Sequence, residues 1–167
     1  RMVDRVILRP AEAADIPGLV TLWNATIRDT TITFTDCPKT EEGLAAAIAG
    51  RRARGREVFV VRDGGDVGFA AYDQFRDGPG YAHAMEHTIL LPPALRGRGA
   101  GRALMERIES HARAGGAHTL FAAVSGENEA GIAFHARLGF DVSARYPETG
   151  RKFGRWLDLV LMMKRIG

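Results

Sequence analysis

Between residues 96 and 102 the chain reads Arg96-Gly97-Arg98-Gly99-Ala100-Gly101-Arg102, glycines at alternate positions threaded with arginines. Glycine at this spacing frees the backbone for positive φ and removes the Cβ atoms that would keep a ligand off main-chain N–H groups. The arginines add full positive charge, and a helical pattern begins at once, aiming its unpaired N-terminal N–H groups at the same spot. That is chemistry for holding an anion. Upstream, Glu86 stands beside His83 and His87 in an apolar stretch; a carboxylate part-buried there has a raised pKa and accepts a proton near neutral pH, unless a neighbouring histidine pairs with it. His135, alone in a helical pattern, belongs to the one residue type that ordinarily titrates near pH 7. Lys152 and Arg155 are cations fit to meet a carboxylate, although Arg155 can equally bridge to Asp158. Cys37 is the only cysteine, so no internal disulfide forms, and no histidine and cysteine cluster has metal-ligand spacing; no metal is expected.

Spacing narrows the anion. No Gly-Lys-Ser/Thr follows, which removes the phosphate loop of nucleoside triphosphatases, and Gly97-x-Gly99-x-Gly101 misses the last glycine of the dinucleotide fingerprint. An ordinary glycine-rich turn with solvated arginines stands as the alternative. The 167 residues fit one domain spanning 1–167, with 46% hydrophobic and 26% charged residues, as in soluble globular proteins. No run approaches the roughly 18 apolar residues of a membrane span, and no secretory pattern opens the chain, so no membrane and a cytoplasmic location are expected. The net charge of +3 raises the question of nucleic acid. Dispersed arginines, few aromatics and no binding-module signature argue against it.

The elements that must position these groups follow from periodicity. Residues 6–9 form a first strand ending at Pro10. Asp15 offers an N-cap, with Pro17 in the first turn, to a helix whose Ile16, Leu19, Val20, Trp23 and Ile27 share a face. A polar stretch over 29–37 carries Phe34, which either plugs the core, the preferred reading, or lines a pocket. Thr40 caps a second helix ending in Arg51, Arg52 and Arg54. Strands at 58–61 and 67–75 flank the turn Asp63-Gly64-Gly65-Asp66. After a loop from Arg76 to Gly80, a long strand runs from Tyr81 to Leu91. The helix behind the glycines buries Ala100, Leu104, Ile108 and Ala112. A strand at 120–124, a helix at 128–138 closed by Gly139, and strands at 140–146 and 157–164 complete the order βααβββαβαββ, the last two separated by a basic loop over 150–155.

Arg96-Gly97-Arg98-Gly99-Ala100-Gly101 resembles the pyrophosphate loop of the GCN5-related N-acetyltransferases (GNAT), and Asn128 to Phe140, ending Leu138-Gly139-Phe140, resembles a second signature of that family. Within it the chain is similar to the phosphinothricin and methionine sulfoximine N-acetyltransferase branch through Trp23-Asn24-Ala25, Gly80-Tyr81-x-His83-x-x-Glu86-His87 and Lys152-Phe153-Gly154-Arg155-Trp156-Leu157-Asp158-Leu159. The resemblance implies an α/β (α+β) acyl-CoA N-acyltransferase fold, a mixed sheet of about seven strands with helices on both faces. It implies acetyl-CoA as co-substrate, its diphosphate on the amides of Gly97 to Arg102, its pantetheine arm along the backbone of Ile89, Leu90 and Leu91, and Asn128 reaching it from the helix turn. It assigns Glu86 as general base and places His135 where relatives carry a tyrosine that protonates the thiolate; a histidine there serves as acid or shares the base role. Phe34, Arg76, Pro79, Gly80 and Tyr81 match positions lining an amino-acid pocket, with Lys152 and Arg155 as cations beside it. Relatives are homodimers, so a homodimer is expected.

The departures from the branch are Ile89-Leu90-Leu91-Pro92-Pro93 where V-Y-V-H-P is common, and Gly131 where a serine is frequent. The reading that results is an enzyme acetylating the α-amine of a small amino-acid analogue by direct transfer, with detoxification as the consequence. Acetylation of a protein N-terminus, a lysine or a polyamine is the alternative, and a non-catalytic acyl-CoA sensor a second.

Overall fold

A computed structural model describes residues 6–167. Its strands are β1 (Ile7–Pro10), β2 (Val58–Asp63), β3 (Asp66–Gln74), β4 (Ala84–Leu90), β5 (Thr119–Ser125), β6 (Asp141–Lys152) and β7 (Arg155–Arg165), and its helices α1 (Ile16–Asp29), α2 (Glu41–Ala53), α3 (Ala100–Ala114) and α4 (Glu129–Arg137). The strands form one sheet in the order β1-β2-β3-β4-β5-β7-β6. The expected mixed seven-stranded sheet and its element order are both present.

Every neighbouring pair is antiparallel except β4 and β5, which run parallel because α3 carries the chain back between them. That pairing extends only from Ala84 opposite Thr119 to His87 opposite Ala122. Beyond it, Ile89 and Leu90 bond only to β3, while Ala123 to Ser125 bond only to β7. The sheet therefore splits, and one edge of β4 presents backbone N–H and C=O groups to the gap.

Apolar clusters on the two faces keep the split sheet rigid. One joins Leu19 of α1, Leu44 and Ile48 of α2, and Val58, Val60, Phe69 and Leu90. The other joins Leu104, Met105 and Ile108 of α3 to Met85, Leu120, Ala122, Val124, Val160 and Met162. Strand β2 feeds both clusters, which is why Val58-Phe59-Val60-Val61 is a continuous apolar run instead of an alternating one. Leu104, Met105 and Ile108 are fully buried. At about 1.5–3 kcal/mol per apolar side chain, they fix the helix that follows the glycine loop.

Three expectations are corrected. Asp15 does not cap α1; it ends a short 3-10 turn, 1% exposed, and its carboxylate accepts from Arg9 (2.7 Å), Arg62 (2.8 Å) and the Glu12 N–H (2.7 Å). A buried anion needs charged donors more than a helix end needs a cap. The strand expected from Tyr81 starts at Ala84, because Pro79–Tyr81 forms a 3-10 turn after Gly78, whose φ of 106° bends the chain. The basic segment 150–155 is strand rather than loop: β6 and β7 pair through to Lys152 opposite Arg155, leaving Phe153 and Gly154 as a tight turn with φ of 53° and 73°. Its charges mask the strand because most of β6 is exposed.

Candidate active site

Where β4 and β5 part, a cavity of about 400 Å³ opens. Strand β4 and the residue after it contribute Ile89, Leu90 and Leu91, the glycine loop and first turn of α3 contribute Arg96, Gly97, Gly99, Gly101 and Arg102, and α4 with its N-cap contributes Asn128, Phe134 and His135. Gly97 and Gly99 have φ of 70° and 83°, conformations that side chains resist. Gly101 is needed for closeness: a Cβ there would lie 2.9 Å from the Phe134 ring and 3.3 Å from Leu91. Gly99 stands directly before α3, so the first N–H groups of that helix and of the loop lie together at one end of the cavity.

The arginines of the loop divide their work. Arg96 donates from Nε to the Leu91 carbonyl (3.1 Å), folding the loop onto the end of β4. Arg102 lies exposed on the first turn of α3. Arg98, expected at the anion, is instead bonded to Asp63 (2.7 Å) and the Ala94 carbonyl (3.1 Å). It pins the loop to the β2–β3 hairpin, so its charge is already balanced. Ala100 is packed in the core, which leaves only its backbone for the cavity.

At the N-terminus of α4 the Asn128 Oδ1 accepts from the Gly131 N–H (3.0 Å). A Cβ at residue 131 would stand 2.3 Å from Asn128 Nδ2, so glycine there permits this cap. Of the Asn128 side chain, the amide N–H groups are left for the cavity.

Alternation along β4 sorts its titratable groups. Met85 and Ile89 join the cluster under α3, and Leu90 joins the cluster under α1 and α2, so Glu86 projects from the face opposite Ile89, as its spacing predicts. Among the described residues the Glu86 carboxylate has no hydrogen bond or ion pair, and burial pushes its pKa up. Neither histidine neutralises it. His83 is bonded through Nδ1 to the Gly116 carbonyl (2.7 Å), and His87 lies on the other face.

His87 and His135 meet across the second face, Nε2 to Nε2, at 2.8 Å, both about 5% exposed. His135 Nδ1 must donate to the Gly131 carbonyl at 2.7 Å, so in the neutral pair its Nε2 accepts from His87. Burial, then the facing His135, lowers His87 to about 3, and burial lowers His135 as well. His135 thus lines the cavity with both nitrogens engaged. The acid or base role expected for it therefore falls on a side chain paired with a second buried imidazole. Sequence reasoning missed His87 as its partner, although the parity of β4 places His87 beside Met85 and Ile89.

The expected substrate residues separate into groups. Lys152 is 4% exposed, and its ammonium donates to the carbonyls of Thr30 (2.7 Å) and Thr33 (2.9 Å); burial lowers its pKa. It is an anchor for the loop after α1, not a free cation. Phe34 on that loop is half-buried outside both core clusters, with its ring against Gly150, where a Cβ would come within 2.3 Å, so it does not plug the core. Arg155 pairs with Glu127 and not Asp158; Asp158 takes Arg145 (3.0 Å) and the Glu148 N–H (3.0 Å). Arg76 lies over the Tyr81 ring at 5.5 Å, and the turn carrying Pro79 and Gly80 is held by Gln74, whose Nε2 donates to the carbonyls of Arg76 (2.7 Å) and Gly78 (2.8 Å). No sequence signal marks Gln74, a polar residue closing a strand.

Residues 19–140 match the profile of the Acetyltransferase (GNAT) family. The chain belongs to that family. This GNAT acetyltransferase is 35% identical over 157 residues to the L-methionine sulfoximine/L-methionine sulfone acetyltransferase of Pseudomonas paraeruginosa, covering 93% of this chain and 91% of that one. It is 32% identical over 158 residues to the phosphinothricin N-acetyltransferase of Streptomyces coelicolor, covering 92% of each. Among solved structures, a GNAT superfamily phosphinothricin acetyltransferase from Sinorhizobium meliloti in complex with acetyl-CoA superposes with a TM-score of 0.91 at 30% identity, covering 98% of this chain and 89% of that one. The protein is therefore an acetyl-transfer enzyme.

Proposed function

We propose that this GNAT acetyltransferase moves the acetyl group of acetyl-CoA to the α-amine of a small amino-acid analogue of the methionine sulfone, methionine sulfoximine or phosphinothricin type, in a ternary complex. The observation that carries the reading is Glu86: a desolvated carboxylate without a partner among the described residues, on β4 just before the split.

Acetyl-CoA suits the cavity on the chain's own terms. Its diphosphate matches the amides of Gly97 to Arg102, where added Cβ atoms would strain the backbone or strike Phe134. Its pantetheine arm suits the edge of β4 left unpaired beside Ile89 to Leu91. Bound there, the co-substrate supplies a thioester. A backbone N–H of that edge donates to the thioester oxygen, an interaction that strengthens as charge builds on it.

An α-amine is mostly protonated near neutral pH. Glu86 takes its proton directly or through one water, the nitrogen attacks the carbonyl carbon, the C–N bond forms and the C–S bond breaks. The coenzyme leaves as thiolate and takes up, through water, the second proton that the acylated nitrogen sheds, so it departs as the free thiol. With a pKa near that of a free thiol, about 8.5, it needs no strong acid, consistent with a site whose histidines are neutral and internally bonded.

A thiol-release assay over methionine sulfone, methionine sulfoximine, phosphinothricin, a peptide N-terminus, a lysine peptide and a polyamine tests the reading. Turnover concentrated on the amino-acid analogues is expected; preference for the peptides or the polyamine, or binding without turnover, overturns it. Acetylation of such compounds would serve detoxification in the cytoplasm. A homodimer belongs to the same proposal: Val142, Tyr146, Phe153 and Trp156 of β6, β7 and their turn are 47–56% exposed, apolar surface that a second copy would cover. Light scattering giving a mass of about twice 18.2 kDa is the expected result.

A further inference from the structure

The cavity at the split carries more positive charge than a diphosphate requires. Arg96, Arg102 and Arg137 all line it, and no carboxylate does. Elsewhere in the fold arginines are matched in place: Arg54 by Asp73, Arg145 by Asp158 and Arg155 by Glu127. Neither Arg102 nor Arg137 has a hydrogen bond or ion pair among the described residues, and Arg96 engages a backbone carbonyl that bears no net charge. A lone solvated arginine signifies nothing. Three around one cavity without an acid make a field that favours an anion.

Helical spacing brings Arg137 to this cavity. Ala130, Phe134 and Arg137 follow one another on α4 at intervals of four and three residues, so they stack in one row along its wall. Phe134, in the middle of the row, packs against Gly101 on the first turn of α3, next to Arg102. Arg137 stands one turn farther along α4 from that meeting point, and both it and Ala130 are exposed, which makes this part of the wall the rim. Phe140, buried in the core just beyond, fixes the end of the helix. The negative end of the α4 dipole favours a cation in this last turn, but it does not choose the face on which the cation stands.

Arg96 and Arg102 offset the two charges of a diphosphate held on the loop amides, and Arg137 is left over. Acetyl-CoA has one further anionic group, the phosphate monoester on its ribose, with a charge of roughly −1.5 to −2 near neutral pH. Resting on acetyl-CoA as the co-substrate, we infer that Arg137 holds this ribose phosphate and so makes the enzyme select complete coenzyme A over a form whose ribose is unphosphorylated. The thioester end belongs beside β4 and the nucleotide end at the rim, where Arg137 is exposed. Its planar guanidinium can donate to two phosphate oxygens at once.

The test is titration calorimetry on the unliganded enzyme with coenzyme A and with 3′-dephospho-coenzyme A, at low ionic strength, in the wild type, Arg137→Gln and Arg102→Gln. The wild type should bind coenzyme A about tenfold more tightly than the dephospho form, as a charge-assisted pair contributes. Arg137→Gln should remove most of that preference by weakening coenzyme A alone, whereas Arg102→Gln should weaken the two ligands alike. A wild type that binds both equally, an Arg137→Gln that keeps the preference or weakens both ligands equally, or an Arg102→Gln that abolishes the preference, overturns the assignment. A wild type that binds neither ligand overturns acetyl-CoA as co-substrate and this site with it. The KM values of acetyl-CoA and its dephospho form at a fixed amine concentration should follow the same order.

Discussion

At the scale of single residues the site separates groups that do chemistry from groups that hold others in place. Glu86 is raised by burial, has no partner among the described residues, and must be ionised to accept a proton. Activity should therefore fall as pH drops through its raised pKa, and Glu86→Gln should lower kcat at least a hundredfold, abolish that acid limb, and leave acetyl-CoA binding within about twofold. A pH profile of kcat/KM paired with calorimetry checks all three. The histidine pair behaves differently. Because both nitrogens of His135 are bonded internally, His135→Phe should cost kcat less than tenfold yet destabilise the fold by about 1–3 kcal/mol, leaving the His87 N–H buried without an acceptor. Urea unfolding measured alongside turnover separates these effects.

At the scale of elements, the glycine loop works because α3 is held tightly behind it and Phe134 is packed tightly against it. Gly101→Ala should displace the Phe134 ring into the cavity and weaken acetyl-CoA at least tenfold, with little change in the KM for the amine, as titration calorimetry and kinetics would show. On the opposite flank Asp15 ties β1 and β2 to the start of α1 through Arg9 and Arg62. Burial pushes this carboxyl up, but the bonds from Arg9, Glu12 and Arg62 outweigh it and hold the pKa below the usual carboxylate range. Its stabilisation is then full above the unfolded value near 3.9 and is lost as pH falls through the lower folded value. Asp15→Asn should cost about 2 kcal/mol at pH 7 in urea unfolding, and the difference from wild type should shrink at the lowest pH.

For the molecule as a whole, ligand binding and stability are linked through the split sheet. The gap between β4 and β5 is bounded by elements of both faces, so acetyl-CoA filling it joins α3, α4 and β4 in the folded state only. At a hundredfold excess over Kd it should add about 2.7 kcal/mol, which for a chain of this size raises Tm by roughly 5–10 °C. Differential scanning fluorimetry reads this directly. Gly101→Ala should blunt the shift, and Glu86→Gln should keep it.

Local signals carried much of the architecture. Periods of two and 3.6, the cap at Thr40 and the Gly64-Gly65 turn are each written in a few adjacent residues, and the tertiary structure keeps them. The alternating glycines likewise announced their backbone, and parity along β4 put Glu86 on the face away from Ile89. What the sequence left undecided was partnership. Whether a charge is free depends on which distant atoms come near it: Lys152 is closed by Thr30 and Thr33, Arg98 by Asp63, Arg155 by Glu127 and His135 by His87, contacts between segments far apart in the chain. For the same reason the basic run 150–155 looked like loop although cross-strand bonds make it sheet. Residue types and spacing determined the kinds of chemistry available to this chain. Long-range packing decided which groups remain uncommitted to perform it, since an ionised side chain acts on a ligand only with the charge its own neighbours have not already balanced.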